Sequence, residues 1–194
     1  AVNCSAPSNA APRQTAVGCA AARHAVAIAA NFFVTLPSNG SKRIVQVVYG
    51  PTGIVEAAYF KHHLFPTEAL AGVEPGPFAP TTVTVAGRTL GLLICYEGVV
   101  AAVSPAQLEA LRDQGMDTLL WSVGGEVPIG TLSKSFSKKY NVSVAASMDE
   151  AWLVVAPPAS WTHSGYMNSK RPPHRSPLLC QTRSHTGNGA ERAG

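Results

Sequence analysis

The sequence predicts an α/β domain, layered in the α+β manner, and three observations carry that expectation. Apolar runs of strand length alternate with polar or helical stretches over the first 156 residues. Gly, Pro and Asn separate most of these runs, as turns require. Hydrophobic residues make up 46% of the 194, enough to fill one core of ordinary size.

Residues 1–15 read as an irregular segment. Residues 16–24 (AVGCAAARH) are Ala-rich and close a helix. The run 26–35 (VAIAANFFVT) carries aromatic and β-branched members and has the length of a buried strand. After the turn residues of LPSNGSKR, the runs 44–49 (IVQVVY) and 54–60 (IVEAAYF) flank Gly50-Pro51-Thr52-Gly53, the pattern of two antiparallel strands on a tight loop. A Pro- and Gly-rich loop over 74–80 leads to a second strand pair, 82–85 and 90–95, around Ala86-Gly87-Arg88. Ser104-Pro105-Ala106-Gln107 has the Ser cap, the early Pro and the Gln that open a helix, which runs to Asp113 and ends at Gly115. A strand over 118–123 (TLLWSV), a helix over 131–140 and strands over 142–146 and 151–156 complete the series.

From residue 157 the periodicity disappears. The Pro-, Ser-, His- and Arg-rich stretch 157–194 has no run able to bury a face and reads as a disordered or aberrant basic tail, so the domain is assigned to 16–156. The tail holds five of the 15 basic residues and one of the 11 acidic ones, so the whole +4 formal charge belongs to it and 1–156 are neutral. Phosphate binding needs a patch of Lys and Arg on a folded surface, so a nucleic-acid partner is set aside. No run reaches the roughly 18 apolar residues of a membrane span, and the opening residues lack the pattern of a signal peptide. The chain does not start with Met, which suggests a processed form or a fragment. Four Cys without a CxxC pair exclude a zinc ribbon and a small disulfide scaffold. Cys4, Cys19 and Cys180 show no pairing logic.

Two segments concentrate chemistry. Tyr59-Phe60-Lys61-His62-His63-Leu64-Phe65-Pro66-Thr67-Glu68 puts a Lys, two His and a Glu just after a strand. Gly91-Leu92-Leu93-Ile94-Cys95-Tyr96-Glu97-Gly98 puts a Cys at the end of another. A strand-end Cys can face the amides of the next turn and a nearby cation that activates it as a nucleophile; it can equally be a small buried hydrophobe. Lys61 alone reads as a solvated strand-end charge, and His62 and His63 flank a turn without the further ligands a metal would need.

Together the two segments resemble the Lys and Cys motifs of the nitrilase, or carbon–nitrogen hydrolase, superfamily, over about residues 16 to 156. The order of hairpin, Lys motif, Gly/Pro loop, hairpin, Cys, helix and strand is also similar to that family. The stretch WSVGGEVPIGTLSKSFSKKYNVSVAAS is most similar to the biotinidase and vanin (pantetheinase) branch. The resemblance implies an α-β-β-α sandwich, incomplete at its N-terminus and at its C-terminus. It implies an amidase that hydrolyses a linear carbon–nitrogen bond through a thioester, directed at a pantetheine-like or biotinyl amide. In it Cys95 is the nucleophile, while Lys61, as proton donor or by charge, and the backbone N–H of Tyr96 stabilise the oxyanion. Glu68 and Glu97 are the acids nearest the motifs, able to orient Lys61 or the substrate, and Trp121, Gly124 and Gly125 are candidates to line the pocket.

The family's general-base Glu would lie upstream of the first helix, and the first 55 residues contain neither Asp nor Glu. A catalytically inactive, interaction-only relative is therefore the alternative. The expected partner is a small amide, with no cofactor, metal or nucleic acid, and with a homo-oligomer open. Asn39-Gly40-Ser41, Asn141-Val142-Ser143 and Asn3-Cys4-Ser5 fit the glycosylation pattern and, with the resemblance, lean towards a secreted, extracellular glycoprotein.

Overall fold

The computed structural model describes residue 4, residues 11–125 and 127–148, and the backbone of Ala151–Val155 and Gly165–Asn168. Helix α1 (Pro12–His24) starts on a proline and ends at Ala25 in the left-handed region, φ 51°. It begins before the Ala-rich stretch because Pro12 lacks an N–H that the first turn would leave unpaired anyway. A Cys4–Cys19 disulfide ties residue 4 to this helix, a pairing that sequence spacing gives no reason to expect.

Strands β1 (Ile28–Thr35), β2 (Lys42–Tyr49) and β3 (Val55–Phe60) form an antiparallel sheet in that order. The β2–β3 turn closes through Gly53 N–H donating to the Gly50 carbonyl at 2.8 Å. Gly53 has φ 78°, and a Cβ there would stand 2.5 Å from the Gly18 carbonyl of α1. Both the turn and the helix contact therefore demand glycine.

After α2 (Pro66–Leu70), the second sheet is built from β4 (Thr82–Val85), β5 (Arg88–Ile94), β6 (Thr118–Ser122), β7 (Ser143–Met148), β8 (Ala151–Val155) and β9 (Gly165–Asn168), adjacent in sequence order. Its central strands β5, β6 and β7 are parallel, joined by α3 (Glu97–Val103) with α4 (Ala106–Asp113) and by α5 (Ile129–Tyr140). The crossovers supply the helices that cover one face.

Strand alternation sorts side chains into layers. Val45, Val47 and Tyr49 face α1 through Ala21, whereas Ile44, Val48 and Tyr59 turn to Val85, Leu92 and Ile94 of the second sheet. Leu93, Leu119, Trp121 and Val144 face the other way, onto Ala101, Leu108 and Phe136 of the helices. The result is an α-β-β-α arrangement.

One expectation is corrected, and two elements lie where the sequence marks none. Ser104 does not cap α4: it ends α3, its N–H donating to the Val100 carbonyl at 2.8 Å, and α4 starts without a side-chain cap. The strand end at residues 94–95 leads straight into α3, hidden in the sequence because EGVVAAV has no polar face to mark a helix period. Gly165–Asn168, inside the segment read as a tail, pairs antiparallel with β8; an open strand edge accepts a short partner whatever the surrounding periodicity. The rest of 157–194 lies outside the described residues.

Candidate active site

Lys61 follows β3 directly and is fixed by its backbone. Its N–H donates to the Ile44 carbonyl at 2.9 Å, and its carbonyl accepts from Gly76 N–H at 2.7 Å. The residue is 1% exposed. A buried ammonium needs a counter-charge, and Glu68 provides it, with Oε1 and Oε2 at 2.6 and 2.7 Å from Nζ. Glu68 Oε2 also accepts the Phe65 N–H at 2.7 Å, which closes the first turn of α2 and sets the carboxylate in place. Helix α2, unmarked by hydrophobic periodicity, is thus the element that presents the acid to Lys61.

Cys95 lies just past the end of β5 with φ 49°. A non-glycine residue in this region carries backbone strain of about 1–2 kcal/mol, and such strain concentrates where a side chain must be presented. The turn is held from both sides: Cys95 N–H donates to the Ser122 carbonyl at 2.7 Å, and Trp121 Nε1 donates to the Cys95 carbonyl at 2.9 Å. The thiol donates to the Gly124 carbonyl at 3.3 Å. The N–H of Tyr96 has no acceptor among the described residues, so it is available to a ligand oxygen.

Two cavities meet at this cysteine. One of about 500 Å³ opens between the sheets and is lined by Cys95, Glu68, Asn31, Ser122, Gly124, Ser147 and apolar neighbours that include Phe33, Ile94 and Met148. The other, about 510 Å³, lies towards α2 and is lined by Cys95, Glu68, Tyr96, Gly124, Gly125, Phe65 and Val127 among others. Cys95, Glu68 and Gly124 belong to both. Lys61 lines neither and stands behind Glu68.

Glu97 and Trp121 do other work than the sequence suggests. Glu97 is fully buried, makes no hydrogen bond to Lys61 among the described residues and lines neither of these two cavities. Its Oε1 accepts from Tyr59 O–H at 2.6 Å, His62 N–H at 2.7 Å and His63 N–H at 3.2 Å, and its Oε2 accepts from Ile94 N–H at 2.8 Å. Burial pushes its carboxyl above the ordinary value, against the pull of those donors. Burial, and next the Glu97 charge, push the Tyr59 phenol up, while burial and then His62 hold the His63 imidazole below its usual value. Trp121 points away from the cavities because it shares the helix-facing side of β6 with Leu119. The face towards the cavity belongs to Ser122.

Solved structures share this architecture. The chain matches a glutamate-to-glutamine variant of the amidase from Nesterenkonia sp. AN1, which shows Michael addition of acrylamide at the active-site cysteine, with TM-score 0.67 and 20% identity over 80% of this chain and 64% of that one. The fold is that of the nitrilase-superfamily amidases. A cysteine-to-alanine variant of the same amidase, in complex with butyramide, matches with TM-score 0.67 and 20% identity, over 80% of this chain and 62% of its own. The chain therefore spans less than two thirds of the length of those amidases. No protein-family model matches the sequence, and no curated protein matches it.

Asn31, Ser122 and Ser147 were not singled out by sequence reasoning. Asn31 and Ser122 are the polar interruptions of the apolar runs VAIAANFFVT and TLLWSV, and both line the cavity.

Proposed function

We propose that this chain carries the nucleophile and oxyanion side of an amidase of the carbon–nitrogen hydrolase type, which cleaves a linear amide through a thioester on Cys95. The observation that carries the reading is the conjunction at the end of β5. A cysteine with φ 49° opens into cavities whose wall includes Glu68, and Glu68 grips the ammonium of Lys61 with both oxygens. In the reaction Cys95 Sγ bonds to the amide carbonyl carbon and the C=O pair moves onto oxygen. The oxyanion is stabilised by Tyr96 N–H and by the positive charge of Lys61. The tetrahedral adduct collapses by breaking the C–N bond; the proton given up by the Cys95 thiol passes to the leaving nitrogen, which departs as the amine. Water then adds to the thioester, and the acid leaves with the thiol restored. Glu68 positions Lys61, and Gly124 and Gly125 border the space for the substrate. The branch we infer is the biotinidase and vanin one, which implies a pantetheine-like or biotinyl amide, a secreted glycoprotein and the option of self-association.

A specific observation favours the inactive alternative: Glu68, the carboxylate lining both Cys95 cavities, is already committed to Lys61. One experiment separates the readings. Alkylation of Cys95 by acrylamide is followed by peptide mass spectrometry, and release of ammonia from short amides is followed in parallel. The amidase reading expects rapid alkylation, slowed about 10²-fold in Lys61→Ala, and ammonia release that Cys95→Ala abolishes. Rapid, Lys61-dependent alkylation without ammonia release supports the inactive relative. Alkylation indifferent to Lys61 sinks both.

A further inference from the structure

We propose that Ser122 and Asn31, with Gln46 orienting Ser122 from behind, form a subsite of the Cys95 cavity that binds a neutral hydroxyl or carboxamide group on the acyl part of the substrate; the word substrate rests on the amidase reading, but the binding does not. Ser122 Oγ accepts Asn31 Nδ2 at 2.6 Å and Gln46 Nε2 at 3.0 Å. A hydroxyl has two lone pairs and one proton, so both acceptor positions are filled while the proton has no acceptor among the described residues. Gln46 is 2% exposed and lies on the inter-sheet face of β2, between Ile44 and Val48. Its Oε1 is buried without any partner. Gln46 thus spends its donor on Ser122 and fixes the Ser122 hydroxyl in place.

Asn31 and Ser122 line the cavity and Gln46 stands behind them, so the subsite offers a donor, the Ser122 hydroxyl, and an acceptor, Asn31 Oδ1. A hydroxyl or carboxamide answers both. A methyl group answers neither. All three side chains are neutral, and the charges nearest the cavity, Lys61 and Glu68, already satisfy one another. A charged acyl group would lose its hydration without gaining a counter-charge. Position follows from the sheet: Ser122 is the register partner of Ile94, the residue before Cys95, on adjacent strands about 5 Å apart. The group that is read is thus two or three bonds from the carbonyl that Cys95 attacks.

The matched probes are 3-hydroxypropionamide and butyramide, in which a hydroxyl replaces a methyl. Dissociation constants are measured by calorimetry on the full chain carrying Cys95→Ala, which prevents turnover. The hydroxyl compound should bind about 10-fold more tightly. Adding Ser122→Ala should reduce the ratio to about twofold or less, and Ser122→Thr, which keeps the hydroxyl, should preserve it. Should Ser122→Ala fail to fold, Asn31→Ala, at an exposed position, should lower the same ratio. Equal affinities in the parent chain, binding of neither amide, or variants that weaken both amides alike overturn the subsite. Turnover by the chain with Cys95 intact is scored separately: its absence removes the amidase reading and leaves the binding ratio to decide the subsite.

Discussion

Glu97 and Glu68 sit on either side of the Lys61–His63 corner, and their surroundings differ. Around Glu97, fully buried at the seam where β3 and β5 end, every oxygen is occupied by a backbone N–H or the Tyr59 hydroxyl, and Tyr59 in turn accepts from Gln107 Nε2 at 2.6 Å. Around Glu68, on the cavity wall, the main partner is an ammonium and solvent reaches the carboxylate, 19% exposed. A carboxylate saturated by neutral donors fixes geometry, here by pinning together the strand ends that carry Lys61 and Cys95. A carboxylate that holds a cation at a cavity sets the charge available to a ligand.

The comparison breaks most visibly at Glu97. Glu97→Ala leaves the Tyr59 hydroxyl and three backbone N–H groups without their acceptor, and should lower the unfolding free energy by about 3–5 kcal/mol in urea titrations. A loss below about 1 kcal/mol would mean that the seam is relaxed and does not pin the strands. Lys61→Met tests the other region. The carboxylate it orphans is partly solvated, so stability should change by only about 1 kcal/mol, whereas acrylamide addition at Cys95 should slow about 10²-fold. If Lys61→Met unfolds the chain as Glu97→Ala does, the two regions are one structural unit and the distinction fails.

The same contrast explains what the sequence disclosed. The strands of both sheets except β9 were legible because their apolar runs are long and their turns carry Gly and Pro, and Lys61, Glu68 and Cys95 were legible because two short segments concentrate unusual residue types. The division of labour between Glu68 and Glu97 was not legible. Both follow a strand by a few residues, and only the short helices α2 and α3, neither with a hydrophobic period to announce it, decide which acid faces the ammonium. Trp121 and Ser122 exchange roles for a similar reason. Adjacent residues of a strand face opposite ways, and nothing in TLLWSV alone says which face belongs to the helices.

A smaller effect is expected at Gly98, on the helix side of Cys95. A Cβ there would come within 2.2 Å of Trp121 Cζ2. Gly98→Ala must displace the indole or α3, at about 1–3 kcal/mol of stability by thermal or urea unfolding. Because Trp121 Nε1 holds the Cys95 carbonyl, the displacement should also slow acrylamide addition, by about 10-fold. Unchanged alkylation in a destabilised variant would separate Trp121 from the presentation of Cys95.

The smallest effect sharpens the comparison through pH. Burial raises the Glu97 carboxyl above its ordinary 4.5, outweighing the four hydrogen bonds that favour the carboxylate. For an acid raised in this way, the folded chain binds the proton more tightly than the unfolded chain. The contribution is thus fully present below pH 4.5 and is lost as pH rises through the higher folded value. Glu97→Gln abolishes the titration while keeping the volume, so the stability difference between the parent chain and this variant should shrink as pH is raised from 4.5 towards neutrality. Urea midpoints of the two chains, read across that window, test the sign directly. A difference that instead grows with pH would mean that the four donors govern Glu97, and that the seam, like the cavity wall, is organised around a charge.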